Sequence, residues 1–133
     1  MPLDWSSGAL AEGLHCYNTR EYFLAHEHWE SVWLRCDEPV KTFLQALIQI
    51  TAAFHHLQRN NSAGAASLLS AASRRLDPYP AKFEGIDVAT LRKEVYAWMQ
   101  ALTQQGQAPA LAFPRMRESG GQPVRGDGRE LPD

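Results

Sequence analysis

The sequence lacks the marks of several protein classes. It has no uninterrupted apolar stretch of bilayer-spanning length, so no membrane contact is expected. Its start, Met1-Pro2-Leu3-Asp4-Trp5, carries neither the basic region nor the apolar run of an export signal, and a cytoplasmic location is expected. Only two cysteines occur, Cys16 and Cys36, in no C-x-x-C pair. Both fall in segments that read as helix and are expected to serve as reduced, small apolar residues. The 13 Lys and Arg are dispersed and the formal net charge is −2, which argues against the clustered basic surface of a nucleic-acid binder. No convincing run of period-two alternation exists, so no strands are expected. A phosphate loop is missing, because Asn61-Ser62-Ala63-Gly64 is not followed by Lys. No Ser-His-Asp constellation or Cys-His nucleophile pair stands out.

What is present is an ordinary globular balance. The chain has 133 residues, 44% hydrophobic and 21% charged, enough for one domain with one core. Helical periodicity divides it into five segments. The first runs from Ser6 or Ser7 to Tyr17, with Leu10, Leu14 and Tyr17 at helical spacing. Asn18-Thr19 then supplies a turn and a cap for the second helix, Arg20 to Cys36, which stops before Pro39. The third runs from Val40 to Arg59 and is closed by Asn60-Asn61, where Asn tolerates left-handed backbone and caps the next helix. The fourth spans Ser62 to Leu76 and ends at Asp77-Pro78-Tyr79-Pro80. A loop with Gly85 leads to Asp87, a natural cap for a fifth helix from Thr90 to Thr103. The expected fold is an all-α bundle of about five helices, residues 1–105, around a central buried third helix. A Gly/Pro-rich irregular tail, 106–133, follows. In that tail Ala110-Leu111-Ala112-Phe113 reads as a docking patch. Arg125-Gly126-Asp127, the adhesion tripeptide, reads as coincidence in a chain without an export signal.

The chemistry concentrates on the second and third helices. At about 100° per residue, Tyr22, Ala25, Trp29, Val32 and Trp33 form an apolar stripe, with His26 read as lying in its middle and Glu30 at its edge. His28 and His15 read as surface residues. The third helix is apolar nearly all round, except for a seam of Gln45, Gln49 and His56. A short loop makes the two helices neighbours, which would let the polar seams face each other.

Two readings follow. One is an internal hydrogen-bond network that fixes helix register. The other is a site. His26-Glu27-His28-Trp29-Glu30 has the form H-E-x-x-E, in which Glu30 replaces the second His of the zinc-binding H-E-x-x-H helix. The expected metal ligands are then His26, Glu30 and His56, with His55 the other candidate since the two adjacent rings diverge. Gln45, Gln49 and Trp33 would contact ligand, and Glu27 or Glu30 would act as general base in any reaction. The implied cofactor is a divalent metal ion.

Helices three and four also resemble a tetratricopeptide hairpin. Ala52-Ala53, the Asn60-Asn61 turn, Gly64-Ala65, Leu68-Leu69, Ala72 and Leu76 allow close helix pairing. A single hairpin of this kind points only weakly to peptide binding.

Taken together, the run Tyr22-Phe23-Leu24-Ala25-His26-Glu27-His28-Trp29-Glu30, Trp33, the run Phe43-Leu44-Gln45-Ala46-Leu47-Ile48-Gln49, Ala52-Ala53, His56, Gly64-Ala65, Leu68-Leu69 and Gly85-Ile86-Asp87 resembles the DUF309 family. These are small bacterial and archaeal helical proteins of unknown function. The resemblance covers residues 9 to 103 and implies an all-helical bundle but no reaction. Its pattern carries over at His26, Glu27, Glu30, Trp33 and Gln45, and at His56 with variation between the positions of His55 and His56. Ala46 and Asn60 stand where members often have Gly. The sequence therefore carries two functional expectations: a helical bundle binding a metal ion or small polar ligand at the His/Glu seam, and a structural or protein-interaction module whose seam is internal. In the second, the contact surface is Trp5, the outer face of the fourth helix or the tail, and a homodimer stays open.

Overall fold

A computed structural model describes residues 3–105 and 113–117. Five helices follow in order: α1 (Gly8–Asn18), α2 (Tyr22–Trp33), α3 (Val40–Gln58), α4 (Ser62–Leu76) and α5 (Val88–Gln105). Between α4 and α5 lies a hairpin of two-residue strands, β1 (Lys82–Phe83) and β2 (Ile86–Asp87). Through the four helices from α1 to α4, each packs on its successor, and α5 packs on α4.

The reading of α3 as central holds. Ten of its 19 residues are buried, on several sides of the helix. Phe54 collects the aromatic core, with ring centroids 5.9 Å from Tyr22, 5.4 Å from Trp98 and 4.9 Å from Phe113. Full burial of each such side chain contributes about 1.5–3 kcal/mol. Ala53, Ala65 and Ala72 are fully buried, as expected for a tightly paired α3–α4 hairpin.

α1 and α2 meet at a glycine. Trp29 donates its indole N–H to the Leu10 carbonyl at 3.2 Å, and its ring lies where a Cβ on Gly13 would come within 2.2 Å of Nε1. Trp5 packs edge-on to Trp29 at 5.9 Å and donates to the Glu84 carbonyl at 2.7 Å. Trp5 is thus a core residue that ties the chain start to the hairpin, which corrects its expected role as a contact surface.

Helix ends follow local chemistry. Asn60 has φ 61°, and the Asn61 N–H reaches the His56 carbonyl at 2.8 Å, closing α3 with a left-handed residue as expected. Asn61 then caps α4, accepting from Gly64 N–H at 2.9 Å, and Asp87 caps α5, accepting from Thr90 N–H at 3.1 Å. α1 ends by the same device as α3. Arg20 has φ 68°, and Glu21 N–H reaches the Cys16 carbonyl at 2.7 Å. Nothing in the residue type announces this, since left-handed backbone strains Arg.

Several expected boundaries shift. α2 stops at Trp33 rather than Cys36, because the chain tightens there: Arg35 N–H bonds the Val32 carbonyl at 2.9 Å and Cys36 N–H the Trp33 carbonyl at 3.1 Å. Cys36 therefore lies in the α2–α3 loop. Both cysteines are free thiols whose pKa is raised, mainly by burial. The β1–β2 pair was not expected. Two residues per strand are too few for a period-two signal, and the turn rests on positive φ at Glu84 (50°) and Gly85 (80°). Among the described residues, no helix is long and apolar enough to cross a membrane.

Most of the tail, including Ala110–Ala112 and Arg125-Gly126-Asp127, lies outside the described residues. The described piece, 113–117, docks on the bundle. Asn18 donates its amide to the Met116 carbonyl at 3.0 Å and accepts from Met116 N–H at 2.9 Å, so it pairs with both backbone polar groups of that residue. Asp87 N–H donates to the Arg117 carbonyl at 2.9 Å, so the segment also joins β2. Phe113 packs among Tyr22, Phe54 and Trp98. Asn18, expected to cap α2, is committed to this segment instead.

Candidate binding surface on the second helix

α2 buries one arc. Tyr22, Ala25 and Trp29 are fully enclosed, and Val32 and Trp33 are half-buried at its end. At 100° per residue, His26 lies about 80° from the centre of the arc defined by Val32, Ala25, Trp29 and Tyr22. Its expected place in the middle of the stripe gives way to a place on the border. The His26 side chain is 33% exposed and that of Glu30 is 52% exposed, with Nδ1 and Oε1 4.0 Å apart. The pair faces solvent in part, and a surface pair of this kind contributes little to stability. Glu27 is exposed one step away.

The seam on α3 does not meet this pair. Gln49 Oε1 accepts from Arg75 Nη1 at 3.4 Å, so it partners α4. His56 Nδ1 lies 3.1 Å from the Asn61 amide nitrogen. Because Asn61 Oδ1 is already taken by Gly64 N–H, that nitrogen is the donor, and His56 Nδ1 accepts with its proton on Nε2. His55 is the residue turned to α2: its ring is 5.7 Å from Phe23. Burial first, then the charges of Arg59, His56 and His26, hold the His55 pKa below its ordinary value. Gln45 is half-buried on α3. Trp33 lies under Lys41, whose Nζ is 4.9 Å from the ring centroid, and its indole N–H is buried without a hydrogen bond. Among the described residues, no three His, Cys, Asp or Glu side chains are arranged to hold a metal ion. His28 lies 3.8 Å from Glu12, an ion pair between α2 and α1 when His28 is protonated.

The outer face of α2 carries a feature the motif reading passed over. Four large hydrophobic residues are exposed among the described residues, and three belong to α2 or its C-cap: Phe23 (56%), Leu24 (49%) and Leu34 (66%). Phe23, Glu27, Glu30 and Leu34 fall at helical spacings of four, three and four, so they make one outward row. The row is legible on the helical wheel, opposite the buried arc, whereas the H-E-x-x-E pattern begins at His26 on the border.

Helix order, the central α3 and the α3–α4 hairpin define a small all-helical bundle domain. Residues 10–68, from α1 into α4, match the model of the family described as domain of unknown function (DUF309). The likeness to that family covers this segment, and Gly85-Ile86-Asp87 lies beyond it. A protein of Aquifex aeolicus (strain VF5) described as uncharacterized is 30% identical over 84 residues, an alignment covering 62% of this chain and 25% of that protein. This chain thus spans about a quarter of the relative's length.

Proposed function

We propose that the domain is a protein-interaction module whose contact surface is the outer row of α2, and that its partner is an amphipathic helix carrying Lys or Arg beside apolar residues. The observation that carries this reading is the concentration of exposed Phe23, Leu24 and Leu34 on the helix that also bears Glu27 and Glu30. An apolar row normally stays out of water, and its exposure marks a contact surface. The two carboxylates set the charge of the occupant, since like charge across an interface is costly. The Aquifex aeolicus relative, in which the matched segment is a quarter of a longer chain, fits a module that works beside other domains.

The test uses two synthetic amphipathic helices, one of Leu and Lys and one of Leu and Glu, titrated against the whole chain by fluorescence anisotropy. The Lys peptide binds, more weakly as salt rises, and the Glu peptide does not. Replacing Phe23 and Leu34 together by Asp weakens binding about 30-fold or more, if each side chain contributes about 1 kcal/mol or more. Equal binding of both peptides, or no loss in the double variant, would falsify the reading.

A second reading rests on the His26–Glu30 pair. Partly exposed imidazole and carboxylate one turn apart offer two donors to a divalent metal ion or a small polar ligand, with His55 within electrostatic reach of His26 and Trp33 and Gln45 further along the helices. Zinc and manganese titrated calorimetrically into chelator-treated protein give saturable heat that His26→Ala and Glu30→Gln remove. Heat unchanged in both variants contradicts it.

A further inference from the structure

A cleft of about 230 Å³ opens between the α1–α2 turn and the docked segment, lined by Tyr17, Asn18, Arg20, Tyr22, Phe113, Pro114 and Arg115. It is independent of the α2 row. Its lining holds two arginines and no carboxylate. We propose that this cleft binds a small oxyanion, the carboxylate or phosphate group of a low-molecular-weight ligand, with Arg20 and Arg115 as its charge partners.

Three observations converge there. Arg20 sits at φ 68°, where Arg is strained and Gly or Asn is the ordinary choice. Its guanidinium lies 4.3 Å above the Phe113 ring, and both residues line the cleft. The left-handed backbone closes α1, and Arg occupies this position although Gly or Asn would close the helix without strain. The second observation is Tyr17, wholly buried, with a phenol oxygen that has no hydrogen-bond partner. A buried unpaired hydroxyl is costly; an ordered water, or a ligand oxygen admitted past the cleft lining, would satisfy it. The third is charge. The carboxylate whose field reaches Tyr17 is Glu94, with Arg117 3.7 Å from Oε2 and with Oε1 buried without a partner, while the cleft lining itself holds Arg20 and Arg115 and no carboxylate. The volume is below the usual 300–1,000 Å³ of drug-sized pockets, which fits a small anion rather than a bulky cofactor. Guanidinium groups match carboxylate and phosphate oxygens in paired hydrogen bonds.

The experiment titrates inorganic phosphate and, separately, acetate into isotope-labelled full-length protein and follows amide and arginine side-chain resonances. The proposal expects saturable shifts at Arg20, Tyr22 and Phe113 with at least one of the two anions, and the anion that binds more tightly identifies the source. Arg115→Gln weakens binding about tenfold. Arg20→Gly is the sharper variant, because it removes the guanidinium while relieving the strained backbone. It loses anion binding with the melting temperature unchanged or raised. Shifts absent with both anions, or centred on Arg74 and Arg75, overturn the proposal. So does an Arg20→Gly protein that binds as wild type. A lowered melting temperature with unchanged affinity would assign Arg20 to packing on Phe113 alone.

Discussion

Single residues decide how closely the elements approach. Gly13 sits inside α1, where Ala would ordinarily favour the helix by about 1 kcal/mol. Here the added methyl would lie 2.2 Å from Trp29 Nε1, in a ring fixed by its bond to the Leu10 carbonyl. Overpacking of this kind costs about 1–3 kcal/mol and outweighs the propensity gain. Gly13→Ala is therefore expected to be destabilised in urea unfolding, and a stabilised variant would mean that Trp29 repacks freely. Asn61 has two duties, capping α4 and donating to His56. Asn61→Ala is expected to lose about 1 kcal/mol in the same assay. His55 sets a pH dependence. Its folded pKa is depressed from 6.5, chiefly by burial, so the unfolded chain binds the proton more readily. Stability is complete above the unfolded value and falls as pH drops through the folded one. His55→Gln should flatten the decline of melting temperature between about pH 7 and pH 5. An identical decline in the variant would assign the effect to other groups.

At the scale of elements, the docked segment and α2 carry the argument. The 113–117 stretch is held by one side chain that mimics a strand's peptide unit, Asn18, and by the Asp87–Arg117 backbone bond. Asn18→Ala removes both amide bonds to Met116. Hydrogen exchange at the Met116 amide should then speed up about tenfold, for a bond contributing about 1 kcal/mol or slightly more. Unchanged exchange would show that Phe113 and Met116 alone anchor the segment. The sequence could not place this contact, because nothing local to Asn18 distinguishes a cap from a clamp on a residue almost a hundred positions away. α3 was legible from its all-round apolarity, and the caps at Asn61 and Asp87 from their side chains. The left-handed Arg20 was not, since its conformation is imposed by closure of α1 rather than by residue type. The β1–β2 hairpin was too short to leave a pattern.

For the whole molecule, the order of helices and the single core follow from periodicity and turn chemistry. The candidate site was only partly readable. His26, Glu27 and Glu30 do share the α2 surface, yet Gln49 and His56 turn to the α4 side, because adjacent positions on α3 face different neighbours. The angular position of His26 relative to the buried arc decides between an internal network and an outward surface. That arc is fixed by packing on both α1 and α3. What remains exposed is an apolar and acidic row whose contacts among the described residues include the Phe23 ring against His55 and Glu30 beside His26. The most direct test is an amide-shift map of the labelled full-length protein titrated with the Leu/Lys helix. The account predicts perturbations concentrated at Phe23, Glu27, Glu30 and Leu34, with α5 and the β1–β2 hairpin unmoved. Perturbations centred elsewhere, or none at saturating peptide, would contradict it.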